Sequence, residues 1–177
     1  NYDVIFNSAS NYPAASNVTG RARLQQFFAN GGGYVGGQTA GANFLNAGGV
    51  VTGLTAANAA GNGRSGIVYW DNTGGPASIV TGAYPARDTA IVDPPTWLTA
   101  VPATMSVDAK LPASNFFAAG LWPNSNTTTA PGAAIIAHGT NAADTARLVV
   151  FANNPLYRAD PEREWPMLGS AIYWADK

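Results

Sequence analysis

Cysteine is absent from this chain, and that absence excludes disulfides, thiolate-held zinc and a cysteine nucleophile together. Histidine is nearly absent: His138 stands alone, so no three-ligand set of His, Glu and Cys can form around a catalytic zinc. Charge is scarce too. Charged residues are 11% of the 177, against about 25% in an ordinary soluble domain. The formal net charge is −1, which attracts neither nucleic acid nor an anionic membrane. No apolar run approaches the roughly 20 residues that span a bilayer. The N-terminus has no basic region leading into a hydrophobic stretch, so a secretory signal is expected to be either absent or already removed. Lysine occurs only as Lys110 and Lys177. Low charge, few lysines and abundant Asn, Thr and Ser suit a secreted protein. Asn17-Val18-Thr19 and Asn126-Thr127-Thr128 read as glycosylation triplets.

What the chain does carry is small residues in a telling order. Gly31-Gly32-Gly33 closes a helix, Tyr34-Val35 makes a short strand, and Gly37-Gln38-Thr39-Ala40-Gly41 turns tightly into a small-residue helix. Strand, glycine-flanked turn and helix are the geometry of a nucleophile elbow, which lifts one side chain above a parallel sheet. The reading places Thr39 at the apex, between Gly37 and Gly41.

Along the rest of the chain, Asp3 to Asn7 reads as a strand buried on both faces, because Val4, Ile5 and Phe6 are consecutive apolar residues. A polar loop runs from Ser8 to Thr19. Leu24, Phe27 and Phe28 line one face of a helix that ends at Gly31 and leads by a right-handed crossover into a parallel neighbour. The middle changes character: Gly49–Thr52, Gly66–Trp70 and Ser78–Thr81 read as strands, the last two joined as a hairpin. Trp97-Leu98 and Phe116-Phe117 read as short apolar plugs, with an X-Pro bond at Pro94-Pro95 suited to cis. Ala133–His138 and Arg147–Phe151 form another strand pair. A final helix has Pro166 in its first turn and Leu168, Ile172 and Tyr173 on its inner face. The fold class is therefore α/β: a three-layer, mostly parallel sheet flanked by helices, flavodoxin-like, with an added antiparallel β region in the middle.

Candidate chemistry is thin. A hydrolase would need Thr39 exposed and His138 within hydrogen-bond reach of its hydroxyl. A β-branched residue resists the positive φ of an elbow, and the competing reading makes Thr39 a helix cap. Asp71, Asp93 and Asp108 sit beside turns, at spacings that match no calcium loop and suit Asx turns. Trp70, Trp97 and Trp122 lie next to polar loops, where three exposed rings would form a stacking platform for sugars.

Gly37-Gln38-Thr39-Ala40-Gly41-Ala42 resembles the Gly-x-Cys-x-Gly-Ala elbow of class I glutamine amidotransferase-like domains, with Thr39 in place of the cysteine. The family's catalytic histidine follows the last strand; here Asn154, in Asn153-Asn154-Pro155, stands in that place. His138 falls one strand too early, and the acidic partner either corresponds to Glu162 or is missing. The resemblance implies a degenerate site at Thr39 and Asn154, with glutaminase chemistry lost.

A narrower resemblance is to the C-terminal amidotransferase-like domain of large secreted actinobacterial zinc carboxypeptidases. It rests on Val4–Ser8, Gly63–Asp71, Tyr84–Asp88 and Asn154–Ala159. It implies a non-catalytic accessory domain, with no cofactor in this segment and zinc only in the parent enzyme. The alternative, from a different class, is a carbohydrate- or cell-wall-binding module. Expected partners are the upstream part of the same polypeptide and a peptide or carbohydrate ligand, without nucleic acid or membrane. Residues 1–177 read as one domain that starts partway along, lacking an N-terminal strand beside Asp3–Asn7. The bare edge this leaves carries no charge, proline or bulge at Val4–Phe6.

Overall fold

A computed structural model describes residues 3–7, 17–59, 65–157 and 162–176. The polar loop from Ser8, the Gly63-Arg64 pair, the Arg158-Ala159 pair and the side chains of Asn126 and Glu162 lie outside the described residues. The strands are β1 (Val4–Asn7), β2 (Gly33–Gly37), β3 (Thr55–Asn58), β4 (Gly66–Asn72), β5 (Arg87–Val92), β6 (Thr96–Ala100), β7 (Met105–Lys110), β8 (Phe117–Gly120), β9 (Ala134–Thr140) and β10 (Arg147–Phe151). The helices are α1 (Val18–Ala29), α2 (Gln38–Ala47) and α3 (Trp165–Ala175).

The ten strands form one sheet in the order β1-β2-β10-β9-β7-β4-β5. In addition, β8 pairs with β4, and β6 joins β3 to β9. Parallel pairing is confined to β1–β2–β10, around the elbow. The other pairings are antiparallel, so the antiparallel region is larger than its sequence signal and reaches from β9 to the β5 edge. Beyond β1 no further strand pairs among the described residues. Val4 and Ile5 are half-buried and Phe6 is 41% exposed, so this strand is less covered than its apolar run implies.

Helices cover both faces of the parallel part. The Asn17 side chain accepts from Gly20 N–H at 2.8 Å, capping α1, which buries Leu24 and Phe28. Phe28 of α1 and Phe44 of α2 both meet the Tyr34 ring, edge-on at 6.3 Å and stacked at 5.0 Å. Tyr34 and Gly33 point to opposite faces, and a Cβ at Gly33 would lie 2.1 Å from the Ala175 carbonyl oxygen. Thus α3 presses on the far face from α1 and α2. It does so through Met167, Leu168, Ala171 and Ala175, whereas Ile172 and Tyr173 face outward at 37% and 83% exposure. The two alanines allow the close approach that larger side chains would prevent.

Two expected strands are turns. The Val50 and Val51 amides both bond to the Leu45 carbonyl, completing the end of α2 instead of a ladder. Ser78–Thr81 is held by a side chain: Asn72 donates to the Thr81 carbonyl at 2.8 Å and accepts from the Thr81 hydroxyl and the Gly75 N–H. The hairpin partner of β4 is therefore β5, in register from Gly66–Val92 to Asp71–Arg87. Trp97-Leu98 and Phe117 lie in strands, and the Asp93–Pro94 bond is cis.

Candidate functional site

The elbow is built by close packing. All five residues of β2 are buried, and a Cβ on Gly41 would sit 2.9 Å from the Gly36 carbonyl carbon. Only glycine lets α2 start so close to the strand, and the Tyr34 hydroxyl donates to the Gly41 carbonyl at 3.1 Å, fixing the approach. Gly37 is extended and precedes the helix. The left-handed residue that follows is Gln38, with φ 59°. The apex is therefore Gln38, one position before Thr39, which is the second residue of α2. The shift has a steric reason: Thr is β-branched and resists a left-handed backbone, whereas Gln accepts it more readily. The Gln38 side chain is half-buried and its Nε2 donates to the Asp93 carbonyl at 2.7 Å.

The end of β10 lies beside this turn, because Phe151 pairs with Gly37. Asn153 is 3% exposed and its Nδ2 donates to Oε2 of Glu164, which is 4% exposed. Burial pushes the Glu164 carboxyl up to about 8; the Asn153 bond and the facing Ile91 backbone pull more weakly the other way. Glu164 is thus mainly neutral at pH 7, and its Oε1 is buried without a hydrogen-bond partner among the described residues. Asn154 turns away from this pair, its Oδ1 accepting from Leu156 N–H at 3.0 Å in an Asx-type turn. The buried polar groups beside the elbow are therefore Asn153 and Glu164. Sequence reasoning missed both, since neither neighbours a glycine or carries periodicity; the one signal is for Asn153, a polar residue shortly after the apolar run Leu148–Phe151.

Tyr84 ties this corner together. Its hydroxyl donates to the Arg163 carbonyl at 2.5 Å and accepts from Met167 N–H at 3.2 Å. Arg163 also reaches Asp88 at 3.2 Å, linking the start of α3 to β5.

His138 belongs elsewhere. It pairs with Val149, which pairs with Val35, so it lies two strands from β2, about 9–10 Å by strand spacing. Its ring packs edge-on against Trp174 of α3, on the face opposite α2. The Thr39–His138 dyad is therefore not formed. His138 Nδ1 instead meets Asp108 Oδ2 at 2.7 Å, and Ser78 donates to Asp108 Oδ1 at 2.6 Å. The carboxylate sits between hydroxyl and imidazole, so the imidazole does not contact the serine as it would in a Ser-His-Asp triad; Ser78 Oγ accepts from Val80 and Thr81 N–H and closes its own turn.

Trp70, Trp97 and Trp122 form no platform, being 2%, 3% and 4% exposed. Trp97 stacks on Trp122 at 5.6 Å, and Phe116 and Phe117 meet Trp122 edge-on. The cluster fills the space beneath β6 and β8. These rings are core because they pack on other aromatic rings, Trp70 on Tyr84 and the other two on each other.

The elbow residues do not assemble a nucleophile–base pair. Gln38 offers an amide already bonded to backbone, Glu164 is neutral, and Thr39 has no imidazole within reach. Among the described residues no group of three or more His, Asp or Glu side chains converges on one point.

No family model matches the chain, and no curated protein matches it. Solved structures do. A protein from Thermoplasma acidophilum, provisionally described as part of a GMP synthase, aligns with a TM-score of 0.51 at 12% identity, over 97% of this chain and 74% of that one. A cytoplasmic protein from Salmonella typhimurium aligns with a TM-score of 0.58 at 15% identity, over 99% and 73%. At such identities the likeness is one of fold alone: an α/β sheet flanked by helices.

Proposed function

We propose, from an amidotransferase-like fold whose elbow holds glutamine, that this chain is a catalytically silent accessory domain of a secreted bacterial zinc metallocarboxypeptidase. The observation that carries the silent reading is Gln38 itself. It occupies the left-handed apex and its amide is bonded to Asp93, in a chain without cysteine. At the position after the last strand, Asn154 is committed to its own turn. The assignment to a carboxypeptidase rests on the resemblance of the runs around Val4, Tyr69, Tyr84 and Pro155 to that enzyme's C-terminal domain. Any zinc, and the hydrolysis of peptide C-termini, would reside in another domain of the parent.

In this reading the partner is the upstream part of the same polypeptide. The outer edge of β1, unpaired among the described residues, is where an added strand would dock. The domain would then support folding or substrate presentation.

Two measurements test this. Purified chain assayed against glutamine, esters and simple amides is expected to show no turnover above background. Turnover that disappears in Gln38→Ala or Thr39→Ala overturns the silent reading. The coding sequence upstream of Asn1 tests the parent: a His-x-x-Glu zinc motif is expected there, and its absence removes the carboxypeptidase assignment.

A further inference from the structure

Strand β4 alternates cleanly. Gly66, Val68 and Trp70 are buried, whereas Ile67, Tyr69 and Asp71 face outward. On that outer face Asp71 stands directly across from Arg87 of β5. The guanidinium grips the carboxylate with two bonds, Nε to Oδ1 at 2.6 Å and Nη2 to Oδ2 at 3.1 Å. Such a bidentate pair is a flat polar plate. Beside it the Tyr69 ring is 41% exposed, and its hydroxyl makes no hydrogen bond among the described residues. The loop after β7 forms the opposite wall through Pro112, Ala113, Ser114 and Asn115, enclosing a cleft of about 370 Å³. This is near the lower end of the roughly 300–1,000 Å³ of small-molecule sites.

Two of the wall residues, Ser114 and Asn115, are polar and uncommitted. Asn72 and Asn141 spend their amides holding their own loops. Asn115, at φ 53°, and Ser114 are exposed and make no side-chain hydrogen bond among the described residues.

We propose that this cleft is a saccharide-binding site, in which one pyranose ring lies against Tyr69 and sets its hydroxyls on the Asp71–Arg87 plate, Ser114 and Asn115. The chemistry favours a sugar for three reasons. A pyranose presents a C–H face that packs on an aromatic ring while its edge stays polar. Vicinal hydroxyls both donate and accept, matching a plate with spare carboxylate lone pairs and spare guanidinium N–H groups. The cleft's charges cancel, so a simple anion meets Asp71 and a simple cation meets Arg87. Lys110, the neighbour of Asp71 across β7, is exposed at the margin and adds one positive charge, which admits an acidic sugar.

This site is independent of the elbow. Arg87 and Asp93 lie at opposite ends of β5, roughly 20 Å apart by strand rise, so binding here is scored separately from turnover there.

The test is titration of the isotope-labelled chain with cellobiose, di-N-acetylchitobiose and a glucuronic acid-containing disaccharide, followed by amide NMR shifts. Glycerol serves as a simple polyol control. At least one disaccharide is expected to give saturable shifts at Tyr69, Asp71, Arg87, Ser114 and Asn115. Tyr69→Ala, checked for folding by thermal melting, is expected to weaken binding about tenfold, while Tyr69→Phe keeps it within about twofold. If Tyr69→Ala does not fold, the charge-balanced double variant Asp71→Asn/Arg87→Gln replaces it, with the same tenfold loss expected. No saturable shift with any disaccharide at tens of millimolar, equal shifts with glycerol, or undiminished binding by these loss variants overturns the proposal.

Discussion

Gln38 Nε2 donates to the Asp93 backbone carbonyl at 2.7 Å, joining the elbow to the end of β5 across 55 positions of sequence. The bond turns a position that elsewhere would present a reactive side chain into a structural tie. It also gives Gln38 two separable duties: holding a left-handed backbone and spanning to β5.

Gln38→Val is expected to destabilise the fold by about 2 kcal/mol, from a β-branched residue at positive φ and the lost hydrogen bond. Thr39→Val should change stability by less than about 1 kcal/mol. Urea unfolding of both variants measures the difference. A larger loss at Thr39 would return the apex to that residue.

Glu164 predicts a pH dependence of definite sign. Its folded pKa, about 8, lies above the ordinary 4.5, so the folded state holds a proton that the unfolded state releases. Stability from this group is complete below about pH 4.5 and falls as pH rises to about 8, by an amount on the order of 3–5 kcal/mol. Glu164→Gln keeps an uncharged group of the same shape and should flatten the melting temperature between pH 5 and 8. An unchanged slope in that variant would place the titration elsewhere.

Asp108 is the shared acceptor of Ser78 and His138, buried beneath both. Asp108→Ala strands a buried hydroxyl and an imidazole and should cost about 3 kcal/mol, whereas Asp108→Asn keeps one acceptor oxygen, with an N–H donor facing the other partner, and should cost nearer 1 kcal/mol. Equal losses in chemical denaturation would mean that the hydrogen bond kept by Asn contributes nothing.

The stacked indoles differ in their N–H groups. Trp97 Nε1 donates to Thr129 Oγ1 at 2.8 Å, while Trp122 Nε1 is buried without a partner among the described residues. Truncation of either to Ala should cost about 3–5 kcal/mol. Replacement by Phe should separate them by about 1 kcal/mol, with Trp97→Phe the worse, because only it discards a satisfied bond. The opposite order would contradict the hydrogen-bond assignment.

The parallel core was legible because its signals are local. Leu24 and Phe28 sit at helical spacing, and the glycines on either side of Tyr34-Val35 mark both ends of β2. Other features were not, because their causes are remote in sequence. Ser78–Thr81 has the composition of a strand, yet a single Asn72 amide commits it to a turn. The inner face of α3 went to Ala171 and Ala175, not Ile172 and Tyr173, since a glycine in β2 rewards close approach over side-chain size. At the site, the glycine pattern located the elbow to within one residue, and steric preference chose between Gln38 and Thr39. Glu164 was invisible, because a glutamate's burial is set by Asn153 and Ile91, far from it along the chain. The indoles beside polar loops misled for a similar reason: adjacency to a loop does not say which side of the sheet a ring enters.

The glycines of β2 have a mechanical consequence. A Cβ at Gly33 would reach 2.1 Å from the Ala175 carbonyl, and one at Gly36 would reach 2.3 Å from the Tyr34 hydroxyl. The strand is filled on both faces, by α3 against Gly33 and by its own Tyr34 ring over Gly36, and packed interiors of this kind yield little under load. It acts as a keel: the elbow rides on a strand that admits no added side chain at Gly33 or Gly36 without displacing a neighbour.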